Sequence, residues 1–395
     1  MRFYNLLFLF IGLQFSVFSQ VNQNYTRNQL YDKILGSLVG SAIGDAMGAP
    51  YEMWPREDII KKRGYITQLD TVFRAISPEG VWQKDLPPGG TTDDTRFKKL
   101  IISYLIDQNP NKNLSDQKLA KYIINQYEGF KKENPIDSTK LDWLIEWVKI
   151  AKPFVKKDFL QYQRNLIKFY GGDLACGGLL YSPAIGLFYP ANPEKAYNEA
   201  YNLALWDQGY ARDLTAIAAA MVSAAMEKNP SKENILMAFD QLDPQGFHQS
   251  RLLGRLATGV LSKAQYIVKK ADSTDTGSEI NSEKIYKMKQ ETAFKLLHSQ
   301  NEKVPFHAGE IMLQIATGML FADFDFEKTI VFLVNNARDN DTNAAIAGAI
   351  LGAMKGYEKL PSVMKAQVIA VNKNILGNDL ELLANQLTDK VLERK

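Results

Sequence analysis

Apolar residues recur every three or four positions along most of this chain, the signature of helices that bury one face. Leu30, Ile34, Leu38 and Ile43 carry the first such stripe. The same spacing predicts a helix capped by 92–95 and running through Phe97, Leu100, Ile101, Tyr104 and Leu105. Helical stretches follow between Leu114 and Phe169, and again over 193–205, 214–226, 231–242, 252–269, 284–297, 308–320, 326–335 and 344–356. Strand-like alternation is almost absent. The expected fold is therefore all-α, a single compact multi-helix domain over 28–395 with no disordered linker. Segment 53–88, with Pro55, Pro78, Pro87 and Pro88, reads as loops or a flap.

Two of the helices carry a second pattern. Gly36, Gly40, Gly44 and Gly48 fall four apart and so share one face, and Gly348, Gly352 and Gly356 repeat the device. Each glycine costs about 1 kcal/mol of helix propensity. Very close backbone packing against another helix is the expected compensation. Lys33 and Asp45 interrupt the first stripe and exclude its reading as a membrane-helix interface.

Composition adds little to this picture. Of 395 residues, 46% are hydrophobic and 23% charged, which is ordinary for a globular protein. The net charge of +3, from 47 basic and 44 acidic residues, gives no reason to expect a nucleic-acid partner. The N-terminus differs. Met1-Arg2 precedes an apolar run from Leu6 to Val17, too short to span a bilayer, and Val17-Phe18-Ser19-Gln20 offers a cleavage site. Residues 1–19 are read as a signal peptide, which implies a secreted or periplasmic protein without stable membrane association after cleavage. A hydrophobic first helix is the alternative. The lone Cys176 cannot form an internal disulfide and is read as a small core residue.

Two acidic clusters stand out: Thr91-Thr92-Asp93-Asp94-Thr95 and Asp339-Asn340-Asp341-Thr342. Taken singly, each is better suited to capping a helix than to chemistry. Together they offer four carboxylates and several hydroxyls, hard ligands suited to Mg²⁺, Mn²⁺ or Ca²⁺ and numerous enough to bridge two ions. His248, His298 and His307 lack metal-ligand spacing and are left without a role. No phosphate-cradling loop or dinucleotide fingerprint is present. Tyr181, Trp206 and Tyr210 either pack in the core or recognise a sugar or nucleotide.

In this order the glycine-striped helix ending in Gly48-Ala49-Pro50-Tyr51-Glu52, the Thr92-Asp93-Asp94-Thr95 motif and the segment Asp339 to Gly352 resemble the ADP-ribosylglycohydrolase family, which contains dinitrogenase reductase-activating glycohydrolase. The resemblance implies an all-helical fold with a two-metal centre, usually magnesium or manganese. It implies Thr92, Asp93, Asp94, Asp339, Asp341 and Thr342 as metal ligands. Glu52, Asp94 and Asp341 become the candidate catalytic carboxylates. Asp45 is placed with Tyr181, Trp206, Asp207 and Tyr210 at the substrate side, acting from behind the ligands. The chain departs from the family pattern in its middle motif, around 175–183, where the usual arginine is missing. Trp206-Asp207 replaces threonine-histidine, and Arg338 stands where a glycine is usual. The implied reaction is hydrolysis of an N- or O-glycosidic bond to ribose, through an oxocarbenium-like centre, in an ADP-ribosyl or related conjugate. The alternative is a non-catalytic secreted sugar- or nucleotide-binding protein on the same fold.

Overall fold

The computed structural model describes residues 25–73, 85–133, 142–170, 172–244, 246, 252, 254–275, 277 and 281–394. The leader-like segment 1–19 and His248 lie outside them. In chain order the helices are α1 (Arg27–Gly48), α2 (Arg56–Arg63), α3 (Asp93–Ile106), α4 (Asp116–Glu133), α5 (Asp142–Val155), α6 (Phe159–Tyr170), α7 (Ser182–Phe188), α8 (Pro193–Leu203) and α9 (Ala211–Ala225). They continue with α10 (Lys232–Leu236), α11 (Leu256–Asp272), α12 (Ser282–His298), α13 (Ala308–Phe321), α14 (Phe326–Asn336), α15 (Asn340–Lys355), α16 (Ser362–Asn374) and α17 (Leu380–Leu392). The all-α expectation holds. The exception among the described residues is an antiparallel pair, β1 (Val72–Phe73) with β2 (Asp85–Leu86), in which Val72 faces Leu86.

The glycine stripes explain the centre of the molecule. α1 and α15 lie antiparallel in near backbone contact. A Cβ on Gly40 would sit 2.4 Å from the Gly348 carbonyl oxygen, and one on Gly352 would sit 2.1 Å from that of Gly36. No side chain fits at such separations, so the helices trade helix propensity for a close approach that larger residues forbid. Lys33, which breaks the apolar stripe, donates to the Ala225 carbonyl (3.3 Å) and the Ala353 carbonyl (3.1 Å). It thereby satisfies carbonyls at the C-terminal ends of α9 and α15. Alanine-rich α9 is almost wholly buried, and its small side chains let neighbouring helices close over this central pair.

The antiparallel arrangement has a consequence for chemistry. The C-terminal end of α1 meets the N-terminal end of α15, and a Cβ on Gly48 would come within 2.4 Å of the Asp341 Cα. The segment beyond α1 is therefore delivered to the second acidic cluster.

Candidate metal centre

Glu52 follows a single 3₁₀ turn, Ala49–Tyr51, that ends α1. Its neighbours fix it on both sides. The Tyr51 hydroxyl donates to Asp70 Oδ2 at 2.8 Å, and the Met53 amide donates to the Arg338 carbonyl at 2.9 Å. The second bond places Glu52 opposite Asp339. Ligand oxygens of Glu52, Asp339 and Asp341 lie within 4.8 Å of one another, close enough to share one cation. Asp339 and Asp341 are buried, whereas Glu52 is half-buried. Asp339 occupies the N-cap position of α15, yet its side chain makes no capping hydrogen bond. Capping thus does not account for the second cluster.

The first cluster is built differently. Thr92 does cap α3, its hydroxyl accepting from the Asp94 amide at 3.4 Å. Asp45 on α1 holds this turn from below. Its Oδ1 accepts from the Thr92 amide (2.8 Å), and its Oδ2 accepts from the Thr95 amide (3.1 Å) and hydroxyl (2.6 Å). Asp94 is engaged at both oxygens. Oδ1 pairs with the Lys98 ammonium at 3.2 Å, and Oδ2 accepts from the Thr342 hydroxyl at 3.0 Å. This last bond ties the two clusters together.

Burial and mutual repulsion raise these carboxyl groups. Burial first, then Asp94 and Asp341, push Asp45 up to about 7. Burial raises Asp94 as well, and burial with Asp341 and Asp94 nearby lifts Asp339 well above the usual carboxylate range. In the metal-free protein the cluster therefore takes up protons that the unfolded chain releases, so its stability falls as pH rises through the raised values. A bound cation reverses the sign by favouring the ionised forms. The gap in melting temperature between manganese-loaded and chelator-treated protein is accordingly expected to widen from about pH 5 to about pH 8. Paired thermal melts across that range check it.

A cavity of about 460 Å³ opens above the carboxylates. Glu52, Asp93, Asp339, Asp341 and Thr342 form its polar floor, and Phe97, Trp147, Phe169 and Phe306 its aromatic walls. Cys176 also borders it, buried, with its thiol pushed far up by burial and by the surrounding carboxylates, which makes it a poor nucleophile.

Several residues expected at the substrate side are elsewhere. Trp206 is buried and stacks on the inner face of Trp147 at 4.0 Å, its indole N–H donating to the Trp147 carbonyl at 3.2 Å. Tyr181 is fully buried, its hydroxyl donating to the Leu203 carbonyl at 2.8 Å. Asp207 is buried and accepts from the Gly178 amide and the Thr215 hydroxyl, both at 2.6 Å. Asp45, expected to act from behind the ligands, is fully buried behind α3. These four support the cavity from behind. Trp206 and Tyr181 brace Trp147, Asp207 anchors the loop containing Gly177, and Asp45 positions α3. Tyr210 lines a separate cavity of about 260 Å³ with Lys263, Glu302 and Glu310. Thr92 and Asp94 do not line the main cavity among the described residues. His298 Nε2 bonds the Asn336 carbonyl at 2.9 Å, and His307 caps α13, so both have structural partners.

The aromatic walls that do face the cavity carry no distinguishing mark in the sequence. Trp147 and Phe97 each lie on an apolar helix stripe, with no signal that this stripe opens onto a hollow.

The backbone leading into Asp339 is strained. Ala337 (φ 70°) and Arg338 (φ 69°) both adopt the left-handed region immediately before it. A non-glycine residue there costs about 1–2 kcal/mol. Arg338 is held by a two-pronged pair with buried Glu310, at 2.6 and 2.8 Å, and by the Glu302 carbonyl at 2.9 Å. Arg338→Ala is expected to cost about 3 kcal/mol, because Glu310 loses its counter-charge while the strain remains. Arg338→Gly should cost about 1 kcal/mol less, because glycine relieves the strain. Urea denaturation of the two variants measures the difference.

The ADP-ribosylglycohydrolase family model matches residues 26–395. The chain belongs to the ADP-ribosylglycohydrolase family. A solved structure described as an ADP-ribosylglycohydrolase-related protein complex is similar in fold, with a TM-score of 0.55 and 18% identity over 92% of this chain and 99% of that one. No curated protein matches the chain. Within a family of glycohydrolases, the donor set described above consists of carboxylates suited to a hard divalent cation. Glu52, Asp339 and Asp341 fit such an ion, with Thr342 and Asp93 beside them at the cavity floor.

Proposed function

We propose that this chain is a cation-dependent glycoside hydrolase that cleaves an N- or O-glycosidic bond to ribose in an ADP-ribosyl or related conjugate. The observation that carries this reading is the convergence of Glu52, Asp339 and Asp341 at the floor of an aromatic-walled cavity, in a member of this family. Mg²⁺ or Mn²⁺ held there would supply Lewis acidity to a water and to neighbouring ribose hydroxyls.

The chain's own residues do the rest. Glu52, half-buried at the cavity floor, is placed to orient the attacking water or to protonate the leaving group. Asp341 is the carboxylate proposed to receive a proton. Asp94, considered beside it for that task, already has Lys98 and Thr342 on its two oxygens. Phe97 and Trp147, buried and stacked on each other at 4.0 Å, give the cavity an apolar edge that limits access of bulk water. Metal ligation by Asp93 and Thr342, both facing the cavity, is part of the proposal.

The test is a panel of ADP-ribosyl conjugates linked through arginine nitrogen, serine oxygen and phosphate. Each is incubated with the full chain in Mg²⁺, in Mn²⁺ and in chelator, with free ADP-ribose measured. Cation-dependent release from at least one supports the proposal. Tight binding without release from any would instead make the protein a binder on a hydrolase fold. Export, proposed from the 1–19 segment, is checked by N-terminal sequencing of protein recovered from the producing cell, with a start after Ser19 as the expected result.

A further inference from the structure

The clearest departure from a two-cation centre is Lys98. It lies one turn after Asp94 on α3, with its side chain 4% exposed and that of Asp94 1% exposed. Its ammonium reaches Asp94 Oδ1 at 3.2 Å and the Asp94 carbonyl at 3.1 Å. The other Asp94 oxygen accepts from Thr342, a residue of the cavity floor. The first acidic cluster thus already contains a buried positive charge directed at the carboxylate that joins it to the second.

We infer that Lys98 stands in for one of the two cations of the centre, so that this chain holds a single divalent ion among Glu52, Asp339 and Asp341. The inference rests on the reading that those carboxylates bind a cation at all. Three observations carry it. Asp94 is neutralised within its own helix turn, and breaking a buried ion pair leaves a charge without compensation. The Thr92 hydroxyl caps α3, and neither Thr92 nor Asp94 lines the cavity where Glu52, Asp339 and Asp341 meet. A second divalent ion at Asp94 would meet the ammonium as a like charge in a poorly screened interior. The carboxylates that remain close together, Glu52, Asp339 and Asp341, form a compact set for one ion. In this arrangement Lys98 is a positioning residue. It holds Asp94, which in turn orients the Thr342 hydroxyl at the cavity floor.

Metal counting with a spectroscopic readout tests this. The full chain is stripped with chelator, dialysed against excess Mn²⁺, and its bound manganese is counted and examined by electron paramagnetic resonance. The expected result is one Mn²⁺ per chain with the hyperfine pattern of an isolated ion. Lys98→Met, which keeps the length and removes the charge, is expected to take up a second Mn²⁺ and show an exchange-coupled pair. Two ions in the unaltered chain overturn the inference without reference to any variant. A count that stays at one in folded Lys98→Met also overturns it. No manganese in the unaltered chain overturns the cation-binding reading itself, a different result from either.

Discussion

Asp341→Ala is expected to abolish saturable Mn²⁺ binding and to lower glycosidic turnover at least about 100-fold. Loss of a residue that merely supports a metal ligand already costs about 10–100-fold, and Asp341 is proposed as a ligand itself. The same substitution should leave the metal-free fold intact or make it firmer. Asp341 raises Asp339, Asp94 and Asp45 by like-charge repulsion, so removing it relieves a cost that only a cation offsets. Calorimetric titration with Mn²⁺, paired with thermal melts in chelator, separates the two effects. A variant that unfolds in chelator would assign Asp341 a structural role. A variant that still binds Mn²⁺ normally would remove it from the centre. Glu52→Gln is a milder companion. It retains an oxygen ligand and is expected to lose turnover more than ion affinity.

The second large effect concerns the scaffold. Gly44→Val is expected to prevent folding. A Cβ at that position would lie 2.0 Å from the Ala344 carbonyl oxygen and 2.3 Å from its carbon. These are backbone atoms of α15 and cannot swing aside as a side chain can. Overpacking typically costs about 1–3 kcal/mol when neighbours can shift, and here they cannot. Movement of α15 would also displace Asp341 and Thr342 in its first turn. Gly129→Ala is the control. It lies within α4, and a Cβ added there meets nothing within 4 Å, so it should gain about 0.5–1 kcal/mol of helix propensity. Soluble yield and urea denaturation of the pair measure the contrast.

Both effects trace back to patterns legible in the sequence. Glycines four apart share one face of a helix, so close packing of each striped helix against another was readable from spacing, while the pairing of α1 with α15 was not. The acidic clusters were readable as a site only in combination, because each alone suits a helix cap. Which cluster caps its helix and which gathers its carboxylates at the cavity floor was not readable. Thr92 and Asp339 occupy the same cap position, and only the orientation of each side chain separates them. The aromatic wall was missed because periodicity distinguishes buried from exposed faces. It does not distinguish a face buried in the core from one lining a hollow. Trp206 and Trp147 illustrate this, being stacked neighbours of which only Trp147 meets the cavity. Helix α2 escaped notice because Ile59 is its single buried residue, leaving no apolar period to read. Lys98 escaped for the opposite reason. An Asp–Lys pair four residues apart reads as a solvated surface pair, and here both members are buried.

The central claim is that hydrolysis depends on a cation held by Glu52, Asp339 and Asp341. Its most direct test is ADP-ribose release measured against manganese concentration, with bound manganese counted in the same samples. The account predicts no release from the stripped chain, release that rises in proportion to occupancy, and neither binding nor release in Asp341→Ala. Undiminished release from the stripped chain, or full occupancy with no release from any conjugate, would contradict it.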